Sequence, residues 1–206
     1  MSEISALQEA TKPRQGNKPS YDEAYVILAL NIIYDESPVG RITLMRKLGL
    51  GEASMKTMLR RLKEMGLIAV DKVGGNQLTD KGKELIEAWR SRVSIRPAAL
   101  ESLKWKCIQI ALKNGEGLVD RFGVIRLRDE IIRMGAEASL ITVKRNGLEI
   151  PPRTDEFSIN SLLQEVTFLS NQFDRGTLII YITPQDIHLA YKVATRLLQF
   201  ESGISG

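Results

Sequence analysis

The chain has 206 residues, 43% hydrophobic and 26% charged, with a net charge of +4, one cysteine and one histidine. This length suits two small domains, each able to bury its own core. No apolar run reaches the roughly 18 to 20 residues of a membrane-crossing helix, a lone Cys107 excludes an internal disulfide, and Cys107 with His188 supplies no zinc cluster.

The first twenty residues, MSEISALQEATKPRQGNKPS, are polar and lack the apolar core of a signal peptide. They predict a flexible leader over 1–20 and a cytoplasmic protein. Charge is unevenly spread. Residues 1–96 hold 16 Lys and Arg against 12 Asp and Glu, whereas 97–206 hold 13 of each. Between Arg41 and Lys63 seven basic residues face a single acid, Glu52, a footprint suited to a polyanion.

Tyr21–Tyr34 (YDEAYVILALNIIY) predicts a largely buried first helix, with Ser20 as N-cap and Asp22 and Glu23 in the first turn where the dipole favours acids. DESPVG interrupts it. RITLMRKLGL, with Ile42, Leu44, Met45 and Leu48, predicts a short second helix before Gly49 and Gly51. In SMKTMLRRLKEMGLIAV, a wheel at about 100° per residue groups Met55, Met58, Leu59, Leu62 and Met65 on one face. Ala53, Thr57, Arg60 and Glu64 lie opposite, flanked by Lys56 and Arg61. Gly66 fits the position that ends a helix, Leu67–Val73 alternates as a strand, Gly74-Gly75-Asn76 reads as a hairpin tip, and Gln77-Leu78 begins the return. Thr79 or Asp80 then caps a helix striped by Leu85, Ile86, Trp89 and Val93.

The run LMRKLGLGEASMKTMLRRLKEMGLIAVDKVGGNQLTDKGKELI resembles the DNA-binding module of prokaryotic winged helix-turn-helix regulators, in which the third helix is followed by GLI, a glycine-containing wing and LTxKG. The likeness covers residues 21–93 and implies that the third helix enters the major groove of double-stranded DNA. Thr57, Arg60 and Ser54 would then approach base edges. Lys56, Arg61 and Lys63 would neutralise phosphates, with Arg41 and Arg46 bracing them from the second helix and Lys72 and Asn76 placed over the backbone by the wing. Glu64 dissents, as a carboxylate facing DNA is repelled. A winged helix that docks on protein, as an adaptor in transcription or RNA processing, is the alternative, and an enzyme with an accessory winged helix is a third.

Ser94–Pro97 (SIRP) predicts a domain boundary, and Ala98–Leu103 a connector. Trp105–Leu112 reads as a strand, Lys113–Gly117 as a loop, and Val124–Met134 as a helix closed by Gly135. Ala138–Lys144 and Leu148–Ile150 flank Asn146-Gly147, a strong hairpin signal, and Pro151-Pro152 ends the second strand. Ser158 caps a helix bearing Ile159, Leu162, Leu163, Val166 and Leu169. Thr177–Thr183 is a buried strand, and Thr183-Pro184-Gln185-Asp186 opens the last helix with Thr183 as cap. The expected fold class is therefore α+β: a winged helix over 21–96, and over 97–206 a ferredoxin-like βαββαβ domain with an extra C-terminal helix and its helices on one sheet face. The segment RDEIIRMGAEASLITVKRNGLEIPP resembles a domain of unassigned role found behind archaeal winged helices, sharing RDxxxxxGA and the following hairpin.

No catalytic constellation is evident: Cys107 and His188 lack partners in the sequence pattern, and no phosphate-binding glycine motif is complete. Arg128 and Asp129 are the one local cluster that points to a ligand or interface. The expectation is a non-enzymatic transcriptional regulator without cofactor or metal. Its partners would be double-stranded DNA, a second copy in a homodimer, and a small-molecule effector sensed by the C-terminal domain.

Overall fold

Residues Glu3–Thr11 form a helix, α1, where a flexible leader was expected. Ile4, Leu7 and Ala10 recur at helical spacing and are buried with Ala6, giving an apolar stripe that packs on later helices of the same unit. In this computed structural model residues 3–14, 18–151 and 160–203 are described. The chain divides between Arg90 and Ser91 into two units, six residues before the expected boundary.

In the first unit α2 (Glu23–Glu36) is capped by Asp22, whose side chain accepts from Tyr25 N at 3.1 Å; Ser20, the expected cap, lies outside the helix. α3 (Arg41–Leu48) ends at Gly49, whose φ of 66° lets its N–H reach Met45 O. α4 (Glu52–Glu64) buries Met55, Met58 and Leu62 completely, as the methionine stripe predicts. Gly66, at φ 70°, turns the chain out of α4 and Leu67 N closes onto Leu62 O at 2.9 Å.

Next come β1 (Ile68–Val70) and β2 (Asn76–Leu78), paired antiparallel at three positions, with Val39 joined to Asn76 by an isolated bridge. β1 stops three residues earlier than expected because the Asp71 carboxylate folds the chain, accepting from Val73 N at 3.0 Å and Gly75 N at 2.6 Å. α5 (Asp80–Arg92) follows in the predicted order. Thr79 Oγ1 accepts from Gly82 N and donates to Gly66 O at 2.6 Å, and Lys81 Nζ donates to Met65 O at 2.8 Å, so the start of α5 satisfies the last carbonyls after α4. A Cβ on Gly82 would stand 2.1 Å from Leu67 O, which explains the glycine in LTDKG.

The second unit opens with β3 (Val93–Leu100), an eight-residue strand across the stretch expected to hold a boundary and connector. A single 3-10 turn, Glu101–Leu103, leads to β4 (Trp105–Leu112). Then come α6 (Glu116–Phe122), which begins inside the expected loop Lys113–Gly117, α7 (Val124–Arg133), β5 (Ala138–Lys144) and β6 (Leu148–Glu149). α8 (Asn160–Leu169), β7 (Leu178–Thr183) and α9 (Ile187–Glu201) complete it. Asn146-Gly147 lies in the β5–β6 hairpin as expected. Pro152 and the expected cap Ser158 lie outside the described residues. α9 is capped by Asp186, which accepts from Leu189 N at 3.0 Å, while Thr183, the expected cap, ends β7.

The α+β class holds, but the spatial strand order is not ferredoxin-like. Such a sheet would set β6 between β4 and β5; here the antiparallel order is β3-β4-β7-β5-β6. Composition explains the difference. LIIYIT in β7 is buried on both faces and belongs at the centre, whereas the two-residue β6 runs into Pro151 and suits an edge. Nor are the helices confined to one face. Val166 of α8 packs with Cys107, Ile179 and Tyr181 on one side. Ile108, Ile110, Ile180 and Ile182 alternate with these and are also buried, with α9 against β3 and β4 and α7 against β5.

Candidate nucleic-acid interface

The outward face of α4 is narrower than the wheel suggests, because the N-terminal segment covers one flank. Arg61 is only 3% exposed. Its guanidinium donates to Ala10 O at 3.0 Å and Lys12 O at 2.7 Å, completing the carbonyls at the end of α1, where Tyr21 also donates to Ala10 O. A phosphate contact by Arg61 is therefore corrected to a structural role: α1 supplies the acceptors that the sequence pattern could not show. Ser54 Oγ is hydrogen-bonded to Ser20 Oγ at 2.6 Å on the same flank. Glu64 resolves its apparent conflict by accepting from Arg14 at 2.6 Å. That hydrogen bond, with the nearby charges of Arg14 and Arg60, holds its carboxyl below the usual glutamate range.

Asn76 is corrected likewise. It starts β2 rather than forming the hairpin tip, is 5% exposed, and its Nδ2 donates to Val39 O at 2.9 Å while its backbone makes both bridge bonds to Val39. A buried amide with its donors engaged is a clip holding the hairpin to the α3 entry.

What remains outward on α4 is Lys56, Arg60 and Lys63, one row at i, i+4 and i+7, with Thr57 half-buried beside it. Arg60 is 64% exposed and 3.9 Å from Glu64. Lys56 and Arg41 converge on Glu52 at 2.8 and 3.3 Å, and their bonds lower its carboxyl pKa. Arg46 and Lys72 are exposed on α3 and the β1–β2 turn. A groove of about 600 Å³ runs between α4, the start of α3 and the hairpin, and is lined by Arg41, Lys56, Arg60 and Lys63 together with Ile42, Leu59 and Val70. Sequence reasoning placed Leu59 in the core and Ile42 on the apolar stripe of the second helix, yet Ile42 is 77% exposed; the hairpin's position brings these residues to one surface.

Residues 22–93 match the family described as "CggR N-terminal DNA binding domain", and residues 103–201 match "Domain of unknown function (DUF4443)". The chain joins a regulator-type DNA-binding domain to a DUF4443 domain. A solved structure entitled "Hypothetical protein PH0730 from Pyrococcus horikoshii OT3" is similar to it at 26% identity and a TM-score of 0.66, over 90% of this chain and 96% of that one. No curated protein matches it.

In the DUF4443 domain, Arg128 and Asp129 sit in mid-α7, 3.7 Å apart and about half exposed. Asp129 lines a groove at the α6–α7 corner, and Arg128 is not among its lining residues. Cys107 is buried in β4, Sγ donating to Ala98 O at 3.5 Å, and burial, aided by the charge of Glu165, pushes its thiol up to about 11. Among the described residues no His, Cys, Asp and Glu cluster could hold a metal ion, and no helix is long and apolar enough to cross a membrane.

Proposed function

We propose that the chain is a transcriptional regulator whose N-terminal domain is a winged helix-turn-helix, with α4 in the major groove of duplex DNA and the β1–β2 hairpin as its wing. The observation that carries this is the exposed row Lys56, Arg60 and Lys63 on a helix whose opposite face is anchored by Met55, Met58 and Leu62. Arg60 and Thr57 are assigned to base edges, and Lys56, Lys63, Arg41, Arg46 and Lys72 to phosphates. The DUF4443 domain is read as the part that senses an effector, pairs two copies, or both. A dimer would set two α4 helices about 34 Å apart on successive turns, and an effector acts by favouring one spacing. This is a binding protein rather than an enzyme, a reading supported by the buried, protonated thiol of Cys107.

The test is fluorescence anisotropy of the full chain on a duplex at several salt concentrations. Loss of two phosphate contacts in Lys56→Ala with Lys63→Ala should reduce the log–log salt slope by about 1.8 and affinity at least about ten-fold. An unchanged slope removes α4 from the reader role. Ile42 and Val73, both largely exposed and apolar, favour the protein-adaptor reading; binding to a protein partner that barely responds to salt would select it.

A further inference from the structure

The α6–α7 corner of the DUF4443 domain holds a groove of about 640 Å³ that the DNA reading leaves unused. Small-molecule sites span about 300–1,000 Å³. Its walls are apolar, built from Val119, Phe122, Val124, Ile125 and Pro151. Its polar groups all come from α7: Arg126, Asp129 and Arg133, at i, i+3 and i+7 and so on one helix face.

These charges are not equivalent. Asp129 is already 3.7 Å from Arg128. Arg133 reaches Glu130 at 3.3 Å, but that carboxylate also takes Arg196 at 3.0 Å, so one acid serves two guanidinium groups. Arg126 stacks over Phe122, 5.0 Å from the ring centroid, and has no carboxylate partner among the described residues. Ile125 is 65% exposed beside them. Two under-neutralised guanidiniums next to an apolar wall match a ligand that is itself divided into a charged head and an apolar body.

We propose that this groove binds a small amphipathic carboxylate, its head on Arg126 and Arg133 and its body against Phe122 and Ile125. The inference deepens the effector reading of the DUF4443 domain. Its test contains no DNA, so failure of the DNA-binding reading and failure of this site are read separately.

The probes are 4-phenylbutyrate, its neutral counterpart 4-phenylbutanol, and inorganic phosphate, each titrated into the full chain by calorimetry and by 1H–15N NMR. The acid should bind about ten-fold tighter than the alcohol, because a charge-assisted pair is worth more than a neutral hydrogen bond, and phosphate, which lacks the body, should bind more weakly than the acid. Arg126→Gln with Arg133→Gln should abolish the preference for the acid. Ile125→Glu, a change at an exposed position that leaves folding intact, should weaken the acid about ten-fold by replacing the apolar wall under its body with a charge of the same sign as its head. Equal affinities for acid and alcohol, no binding of the acid at millimolar concentration, phosphate binding as well as the acid, or a preference that survives these variants would each overturn the proposal.

Discussion

Replacing Arg61 and its neighbour Arg60 separates two jobs that the sequence assigns to one basic pair. Arg61→Ala deletes a 3%-exposed side chain and two hydrogen bonds to Ala10 O and Lys12 O. Hydrogen bonds from a charged donor contribute about 1.5–3 kcal/mol each, part of which the carbonyls recover from water, so the net cost is about 2–4 kcal/mol. For a unit of this size each kcal/mol moves Tm by roughly 4–8 °C, giving a fall of roughly 8–32 °C. Arg60→Ala removes a 64%-exposed side chain 3.9 Å from Glu64 and should stay within about 0.5 kcal/mol of wild type. Its loss should appear instead in DNA affinity. The assay is thermal unfolding followed by tryptophan fluorescence in a Trp105→Phe background, where buried Trp89 in α5 reports on the first unit alone. Anisotropy on a duplex is measured in parallel below the transition. An Arg61→Ala protein with unchanged Tm and a DNA defect equal to that of Arg60→Ala would refute the assignment.

Asn76→Ala should cost about 1–2 kcal/mol in urea unfolding by removing one of the two hydrogen bonds that Val39 O accepts, while the salt slope of DNA binding stays at the wild-type value. Gly82→Ala, whose Cβ would meet Leu67 O at 2.1 Å, should cost about 3 kcal/mol or more, as overpacking against backbone does; a calorimetric Tm within about 2 °C of wild type would contradict the packing. Glu64 has a folded pKa below its unfolded value because Arg14 donates to it. Its contribution is therefore present in full above the unfolded pKa of about 4.3 and is lost as pH falls through the depressed folded value. A 13C carboxyl titration of Arg14→Gln should return Glu64 toward the ordinary glutamate range.

The methionine stripe of α4, the Gly66 stop, and the Asn146-Gly147 hairpin were legible because each rests on contacts within a few residues. The burial of Arg61 was not, since its acceptors lie about fifty positions earlier in a segment whose stripe contains only two large apolar residues, Ile4 and Leu7. Pro97 disguised β3 as a boundary; the strand tolerates it at the sheet edge, where a missing N–H costs no ladder bond. Leu59 belonged to the correct helical arc yet is half-buried, because the wheel gives direction and not what lies there. The same limit hid the α6–α7 groove, whose walls come from the two helices meeting at Gly123 and from Pro151, eighteen positions after Arg133. For β7 the composition was informative, but its neighbours depend on how β5 and β6 turn, and no local pattern encodes that.

β7 stands between β4 and β5 although, among the described residues, it is the last strand in chain order. On the ribosome, then, β3–β4 and β5–β6 emerge as two separate hairpins with no ladder between them until Leu178–Thr183 leaves the exit tunnel. The DNA-binding unit, complete by Arg90, can fold long before that moment. A fragment ending before Leu178 would thus carry a folded first unit attached to an unjoined sheet, so integrity of that sheet is a direct record that the chain was made through β7.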